Sequence, residues 1–333
     1  MKSSVLICFL FLISAVQAQR SKLDTSEFYN SYRDKWVLYT DYGFSTSPFN
    51  VKFKSSNTDI KKLQYKNNLG LIMGVGASYK WFSLRIGFAL SKNLRSVAKY
   101  GKTSYIDVGF EFPIKQMHFD VNFRSYKGYA IKNAYTWNSD YDLENKNMHG
   151  PDVNTASFSI NTYYFNNKEF KINYLKGQKG NYRKQVHTWY IKSTVALQGV
   201  SNLGSVIPNQ LTDSLNSKTQ TTSISSLDFG AIPGYAYVSR YKNWQYAAMF
   251  GIGPIVQSKF YVINGNTRGF LGLAPRYDFR FIGGYNVPRW FAMLSVELDN
   301  TSVRFQDLTY RNNSYTIRIV AGMRFETKKD KKR

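Results

Sequence analysis

Apolar and polar side chains alternate along much of the chain, most regularly over residues 315–325. One set of alternate positions there is wholly apolar: Tyr315, Ile317, Ile319, Ala321, Met323 and Phe325. The positions between them include two arginines: Thr316, Arg318, Val320, Gly322 and Arg324. Because successive side chains of a strand point to opposite faces, this segment is predicted to be a β-strand with one apolar face and one face that accommodates charge.

Segments with the same alternation recur along the chain, and each is predicted to be a strand. They are residues 35–44, 71–79, 83–90, 105–112, 118–124, 157–165, 170–175, 186–198, 228–238, 244–254, 271–282 and 291–299. Together with 315–325 they give about thirteen candidate strands. The chain is therefore predicted to be all-β and, since no Pro/Gly-rich linker divides it, to form one domain.

The connections between these strands are of two kinds. Pro113 is predicted to end the strand 105–112, and Asn166 and Asn167 suit a hairpin turn between 157–165 and 170–175. Polar stretches are predicted to be long loops: 45–70, 126–155 and 200–226, together with the basic loop 176–185. We expect 45–70, 126–155 and 176–185 to form an exposed contact surface.

The N-terminus has the features of an export signal. Lys2 is followed by an apolar run over 5–16 and by Val16-Gln17-Ala18, a small-residue cleavage site. Residues 1–18 are therefore predicted to be a cleaved signal peptide, with an uncleaved anchor as the alternative. The remaining chain is predicted to consist of a polar lead-in at 19–34, the β domain at 35–325 and a charged tail at 326–333.

Cys8 is the only cysteine, and it lies within the predicted signal peptide. The mature chain would therefore have no disulfide, no thiolate metal site and no cysteine nucleophile. An exported chain of this length then needs another source of stability, and a closed hydrogen-bonded sheet in lipid provides one.

Export and repeated alternation together predict a single antiparallel transmembrane β-barrel in the outer membrane, with lipid outside and a polar lumen inside. Since bacterial single-chain barrels have an even number of strands, we predict about twelve, with fourteen as the alternative. The mean hydropathy of −0.40 is compatible with this fold because only alternate residues face lipid. Aromatic residues make up 17% of the chain, enough for girdles at both membrane interfaces.

The chain is strongly basic, with a formal net charge of +24 that becomes +23 when Lys2 is removed with the signal. Such a charge is typical of nucleic-acid binding, but export makes that partner a poor choice. We expect the cations to meet the phosphates of outer-membrane lipid and lipopolysaccharide, and we expect the barrel-assembly machinery as a further partner.

The faces opposite the apolar ones carry the candidate lumen residues: Asp120, Arg124, Arg276, Asp278, Arg280, Glu297, Arg318 and Arg324. They could form a charged lumen that selects anionic solutes or holds a ligand. They could instead form a ladder of ion pairs that braces or plugs the barrel, which we favour because small barrels fill their interiors with side chains.

A second candidate site is the basic loop, whose cations are Lys176, Lys179, Arg183 and Lys184. Because four cations lie within nine residues, this loop is predicted to bind anionic glycan or lipid phosphate. Its position between two predicted strands suggests exposure at a barrel rim.

Catalytic motifs are not evident. Barrel lipid hydrolases place a Ser two residues after a strand His, so that both point to one side of the wall. Here the residues two positions after His118, His149 and His187 are not serines: Asp120, Pro151 and Trp189. No metal-binding or phosphate-binding motif was found, and no cofactor is expected.

Six short segments, in this order, resemble the domain-of-unknown-function 4421 family of exported Bacteroidetes proteins. They are SYKWFSLRIGFAL (78–90), GKTSYIDVGFEF (101–112), DVNFRSYKGYAI (120–131), HGPDVN (149–154), YYFNNKEFKI (163–172) and PGYAY (233–237). The resemblance covers nearly all of the mature chain and implies an outer-membrane barrel without an assigned activity. His149 stands where the family more often has an arginine.

Three functions remain open from the sequence. The leading one is a non-enzymatic outer-membrane barrel that acts as a narrow pore or a surface-binding protein. The second is a lipid- or glycan-modifying enzyme that uses His118, Asp120 and lumen residues. The third is a soluble periplasmic β-sandwich.

Overall fold

The structure is a computed structural model, and it describes residues 26–68, 70–93, 95–142 and 144–326. The predicted signal peptide at 1–18, the first part of the lead-in and the tail from 327 onward lie outside the described residues, so those predictions stay untested.

Within the described residues the chain forms sixteen strands, numbered in chain order. They are β1 (Tyr29–Ser31), β2 (Trp36–Thr46), β3 (Phe49–Phe53), β4 (Lys62–Lys66), β5 (Gly70–Tyr79), β6 (Phe82–Asn93), β7 (Ser104–Ile114), β8 (Met117–Ile131), β9 (Met148–Phe165), β10 (Gly180–Tyr182), β11 (Val186–Ser201), β12 (Ser223–Tyr241), β13 (Trp244–Ile263), β14 (Asn266–Asn286), β15 (Trp290–Arg304) and β16 (Leu308–Phe325). Short helical turns lie at Val97–Tyr100, Ala134–Thr136, Ile172–Leu175, Asn209–Leu211 and Ser217–Gln220.

Twelve of these strands form a closed antiparallel barrel. The wall strands are β2, β5 to β9 and β11 to β16, and each pairs with the next along the chain. The last strand, β16, also pairs with the first, β2, from Tyr315 opposite Thr46 to Phe325 opposite Trp36. The prediction of about twelve strands is confirmed, and the closed ring excludes both fourteen wall strands and a β-sandwich.

The surplus strand of the sequence prediction is 170–175. That prediction, and the hairpin turn at Asn166 and Asn167, are wrong, because Ile172–Leu175 forms a helical turn. All four residues of the turn are buried, which a strand with alternating burial could not achieve. The segment 166–185 instead folds back into the barrel between β9 and β11.

Two further boundaries differ from the prediction. Pro113 does not end its strand, since β7 continues to Ile114 and Pro113 lies opposite His118 beside the turn, where a missing N–H is tolerated. The predicted loop 126–155 is reduced to 132–147, because β8 and β9 extend to Ile131 and from Met148. The last residues of β8 are buried, namely Tyr129, Ala130 and Ile131. The sequence pattern did not reveal this burial.

The two ends of the barrel differ in the length of their connections. At one end, called here the short-turn end, the wall strands are joined at 80–81, 115–116, 242–243 and 287–289 and by the segment 166–185. The described N- and C-terminal residues also lie at this end. The other end, called the long-loop end, carries the described residues 47–68, 95–103, 132–142, 144–147, 202–222, 264–265 and 305–307.

A hairpin made by β3 and β4 covers part of the long-loop end. β3 pairs with the start of β16, and β4 pairs with the end of β8, Tyr65 lying opposite Ile131. The hairpin thus continues the wall from β16 to β8 above the ends of β2, β5, β6 and β7. Those four strands have 10 to 12 residues, whereas the other eight wall strands have 15 to 21.

The outer face of the wall is apolar and exposed, as illustrated by Leu38, Val75, Ile86, Leu197, Phe250 and Ile319. Aromatic pairs lie along its short-turn end: Trp36 with Tyr79, Phe112 with Phe119, Tyr164 with Trp189, and Tyr285 with both Trp244 and Trp290. No helix in the described ranges is long and apolar enough to cross a membrane.

Candidate functional site

The interior of the barrel holds the predicted lumen residues. Seven of them line one cavity of about 180 Å³: Asp120, Arg124, Arg276, Asp278, Arg280, Glu297 and Arg318. The eighth, Arg324, lies at the short-turn end and contacts the segment 166–185. These seven predicted residues therefore lie on the inward face of their strands, opposite the apolar outer face.

Arg276 forms ion pairs with two carboxylates. Its guanidinium binds Asp299 through two hydrogen bonds, of 3.1 Å from Nε to Oδ1 and 2.8 Å from Nη2 to Oδ2. Nη1 also donates to Asp228 Oδ2 at 3.0 Å. Lys192 on β11 donates from Nζ to Asp278 Oδ1 on β14 at 2.8 Å. Asp228 and Lys192 were not singled out from the sequence.

A second ion-pair cluster centres on Asp107, which is 0% exposed. Its Oδ2 accepts hydrogen bonds from Arg85 Nη1 at 2.5 Å and from the Tyr105 hydroxyl at 2.9 Å. Arg318 and Arg124 reach the same oxygen at 3.4 Å and 3.9 Å. One buried carboxylate thus neutralises guanidinium groups from three strands.

Arg85 also binds Asp41 on β2, with hydrogen bonds of 2.6 Å and 2.8 Å to the two carboxylate oxygens. Neither residue, nor Asp107, was selected from the sequence, although all three occupy inward-facing alternate positions. The alternation could have identified them. What it could not supply was their pairing, since that depends on register around the whole ring.

The middle of the cavity is more loosely packed. Arg280 lies 3.6 Å from Asp120 and 3.8 Å from Glu297, and Arg318 lies 3.3 Å from Glu297. The cavity volume of about 180 Å³ leaves space for roughly ten water molecules between these groups. Every charged residue of this central group has an opposite charge within 4 Å, so the interior is internally compensated. This geometry favours the ion-pair ladder over a lumen selective for anions.

The segment 166–185 and the strand β1 fill the short-turn end, and together they are called the plug. β10 pairs with β1 from Tyr29 opposite Tyr182 to Ser31 opposite Gly180. Buried plug residues pack against the inner wall in one hydrophobic cluster. Gly177 makes the close approach possible: its φ is +73°, and a Cβ there would lie 2.9 Å from the Phe291 ring.

Polar contacts fix the plug backbone to the wall. Gln245 Oε1 accepts from the Tyr182 N–H at 2.8 Å, and its Nε2 donates to the Tyr174 carbonyl at 2.8 Å. Asn286 Nδ2 donates to the Gly180 carbonyl at 3.1 Å. Arg324 donates to the Gly177 carbonyl and stacks over Tyr32, 4.5 Å from the ring centre. Wall side chains thus satisfy the buried carbonyls and N–H groups of the plug.

The predicted basic loop belongs to this plug, and its prediction as an exposed contact surface is wrong for two of its four cations. Lys176 forms an ion pair with Glu111 on β7, and Lys179 is only 2% exposed. Arg183 and Lys184 are exposed, and Lys184 pairs with Glu27 at 3.1 Å. The segment folds inward because its apolar residues are buried within the barrel, a preference that its positive charge concealed.

Lys179 has no hydrogen-bond partner for its ammonium group among the described residues. Burial, together with the nearby Arg33 cation, lowers the pKa of Lys179 to about 7. Glu111 opposes this shift, while Lys176 adds to it. The plug therefore contains a cation whose burial costs free energy without a compensating contact.

At the long-loop end, the β3–β4 hairpin and the loop 202–222 form a cap. The Tyr65 hydroxyl donates to the Val206 carbonyl, and Asp213 Oδ2 accepts from the Ser56 N–H at 2.6 Å and the Ser56 hydroxyl at 2.7 Å. These hydrogen bonds hold the pKa of Asp213 below its usual value. A hydrophobic cluster, which includes Ile207, fills the space beneath the cap.

The three histidines lie apart in the structure. His118 is buried, with Nε2 3.5 Å from Glu111 Oε2, while His149 and His187 are exposed. No group of three or more His, Cys, Asp or Glu side chains that could hold a metal ion occurs in the part of the chain that the structure describes.

A family model described as a domain of unknown function (DUF4421) matches residues 22–325. No curated protein shows significant similarity to the sequence. Among solved structures, the outer membrane protease OmpT from Escherichia coli is similar at 8% identity, covering 91% of this chain and 100% of that chain with a TM-score of 0.41.

Two further barrels are similar to the same degree. The translocator domain of the autotransporter NalP from Neisseria meningitidis has 10% identity, covers 97% of this chain and 96% of that chain, and has a TM-score of 0.41. The COG4313 outer membrane channel from Pseudomonas putida F1 has 10% identity, 91% and 100% coverage, and a TM-score of 0.37. At these identities and TM-scores, no activity is transferred from these proteins to this chain.

Proposed function

The chain belongs to the DUF4421 family, and we propose that it is a non-enzymatic outer-membrane β-barrel, closed in its resting state, that binds anionic groups at the cell surface. The observation that carries this proposal is the occupied interior. The plug fills one end, the cap covers the other, and the central charges neutralise one another.

The outer surface supports placement in a membrane. Apolar side chains cover the wall where soluble proteins expose polar ones, and aromatic pairs gather at one end, as they do at membrane interfaces. Strands of 10 to 12 residues are also sufficient to cross a bilayer when tilted. Outer-membrane barrels have short periplasmic turns and longer external loops. The short-turn end is therefore assigned to the periplasm and the long-loop end to the exterior.

The plug favours the hypothesis of a closed barrel rather than that of a narrow pore. A conducting lumen needs a continuous hydrated path, whereas here apolar side chains fill the periplasmic mouth and wall side chains hold the plug backbone. The paired charges of the lumen then act as a brace for the wall. The external surface is then the part of the barrel that binds anions, and the expected anions are the phosphates of outer-membrane lipid and lipopolysaccharide.

We expect the purified full-length barrel to shift in mobility on an SDS gel when boiled, and to give no steady conductance in a planar bilayer. The mobility shift reports a closed sheet that resists SDS, and the absent conductance reports the occupied interior. A variant in which Gly-Ser-Gly-Ser replaces residues 168–184 lacks most of the plug, and it should show the same mobility shift but no steady conductance, because the cap still covers the long-loop end.

Each result of these measurements decides one part of the proposal. Steady conductance by the wild type would reject the closed state. Steady conductance by the plug-replacement variant would show that the cap does not close the long-loop end. A protein that stays in the soluble fraction without a mobility shift would refute the placement in a membrane.

A further inference from the structure

Three cations from three different connections lie together at the exterior end of the barrel. Lys66 lies opposite Ala130 in the β4–β8 pairing, and the Lys132 N–H donates to the Gln64 carbonyl at 2.9 Å. Asn68, two residues beyond Lys66, donates from its amide to the Arg95 carbonyl at 3.4 Å. These contacts, two between strand backbones and one from the Asn68 side chain, bring Lys66, Arg95 and Lys132 into one group, called here the shelf cations.

No shelf cation has a carboxylate at ion-pair distance within the described ranges. Other cations at this end do have such partners, as shown by Lys127 with Asp152 at 3.2 Å and Lys218 with Asp307 at 3.1 Å. Partial burial lowers the pKa of Lys66, and the charges of Lys132 and then Arg95 lower it further. The three groups therefore repel one another, and a bound anion would relieve that repulsion.

The position of the shelf cations relative to the bilayer follows from the four short wall strands. The periplasmic ends of β2, β5, β6 and β7 lie beside the aromatic pairs, at Trp36, Tyr79, Phe82 and Phe112. Strands of this length, tilted by about 40°, rise roughly 25 Å, which is the height of the apolar band of such barrels. The connections that follow them, and the shelf cations with them, then stand at the level of the outer-leaflet headgroups.

We infer that Lys66, Arg95 and Lys132 form a binding site for a phosphate group of an outer-leaflet lipid headgroup. This inference rests on the proposed placement in the outer membrane and names the site and the anion for that function. A phosphate monoester carries about −1.5 to −2 charges at pH 7 and three acceptor oxygens. An arginine fork can bind two of these oxygens, and the lysines can supply charge and single hydrogen bonds.

The test uses the folded full-length protein in a nonionic detergent, titrated calorimetrically with three probes. These are mixed micelles that contain a diphosphorylated lipid A, inorganic phosphate, and glucose 1-phosphate. The test variant is K66Q/R95Q/K132Q. The control variant is K52Q/K61Q/K146Q, which removes the same charge from exposed lysines at the same end.

We expect the test variant to weaken lipid A binding at least tenfold and the control variant to weaken it no more than about twofold. The test variant should keep its heat-modifiable mobility, because removing repelling charges does not disturb the wall. Inorganic phosphate should bind the wild type more weakly than lipid A does, and the test variant should lose that binding too.

Other outcomes would overturn the inference. Equal lipid A binding by the wild type and the test variant would refute the shelf site while leaving the barrel proposal intact, since the mobility shift tests the barrel separately. Glucose 1-phosphate binding as tightly as lipid A would reject the lipid source in favour of a soluble phosphate. No lipid A binding by a heat-modifiable wild type would refute the lipid ligand outright.

Discussion

Replacement of Asp107 with asparagine should lower the free energy of unfolding by about 3–5 kcal/mol, the range observed when one partner of a buried ion pair is removed. Asparagine keeps the size of the side chain but removes its charge. Arg85 would then keep only Asp41, and Arg124 and Arg318 would lose the carboxylate that they share. Urea titration of the barrel in detergent micelles, followed by heat-modifiable mobility, would measure the change.

Asp152→Asn is the matched control for this substitution. Asp152 also pairs with a cation, but its side chain is 42% exposed and that of Lys127 is 56% exposed, so we expect a loss below about 1 kcal/mol. The double variant D107N/R124Q should recover part of the stability, because Asp107 is the one carboxylate within 4 Å of Arg124 among the described residues, and the second substitution removes a cation left uncompensated by the first. An Asp107→Asn variant as stable as the wild type would show that the cluster does not brace the wall.

The barrel itself could be predicted from the sequence because its signal is local. In an alternating segment such as 315–325, every second residue is apolar, and these residues identify the face that points toward lipid. This inference needs no knowledge of the neighbouring strands. The strand count was wrong at 170–175, where four successive buried residues form one helical turn. In that segment burial comes from packing inside the ring, and alternation carries no information about such packing.

The lumen was predictable as a face but not as a set of contacts. Arg276 and Asp299 are 23 residues apart in the chain and meet only because β14 and β15 pair in one register. Asp107 and Arg318 are 211 residues apart and meet across the interior. A single sequence fixes neither the register nor the curvature that sets such distances.

The basic loop shows that the charge of a segment does not by itself predict whether the segment is exposed. Lys176 and Lys179 are two of the four cations of this loop, yet the fold buries one and pairs the other with Glu111. The shelf cations, by contrast, are scattered through the sequence at Lys66, Arg95 and Lys132. Lys66 and Lys132 approach each other because β4 pairs with β8, and the Asn68 side chain holds the Arg95 backbone beside them.

Replacement of Lys179 with methionine should stabilise the barrel, by an upper limit of about 5 kcal/mol at or below pH 7. Burial lowers the pKa of Lys179 from a usual value of 10.5 to about 7, so folding the charged wild type carries the whole cost of burial below pH 7. Between pH 7 and 10.5 the unfolded chain binds a proton that the folded barrel does not. Wild-type stability therefore rises with pH over that window, and the advantage of the variant shrinks to nothing near pH 10.5. Urea titrations at pH 6, 8 and 10 would measure both trends.

Lys168→Met is the control, because Lys168 lies in the same segment and is exposed, so its substitution should leave both stability and its pH dependence unchanged. Methionine at 179 keeps the length of the side chain and leaves the Lys179 carbonyl free to accept from the Tyr32 N–H at 2.7 Å. The gain would thus come from the removed charge and not from a rearranged plug. A Lys179→Met barrel that is less stable than the wild type at pH 6 would mean that the ammonium group has a compensating partner, and the plug would then have to hold an anion or water beside Lys179.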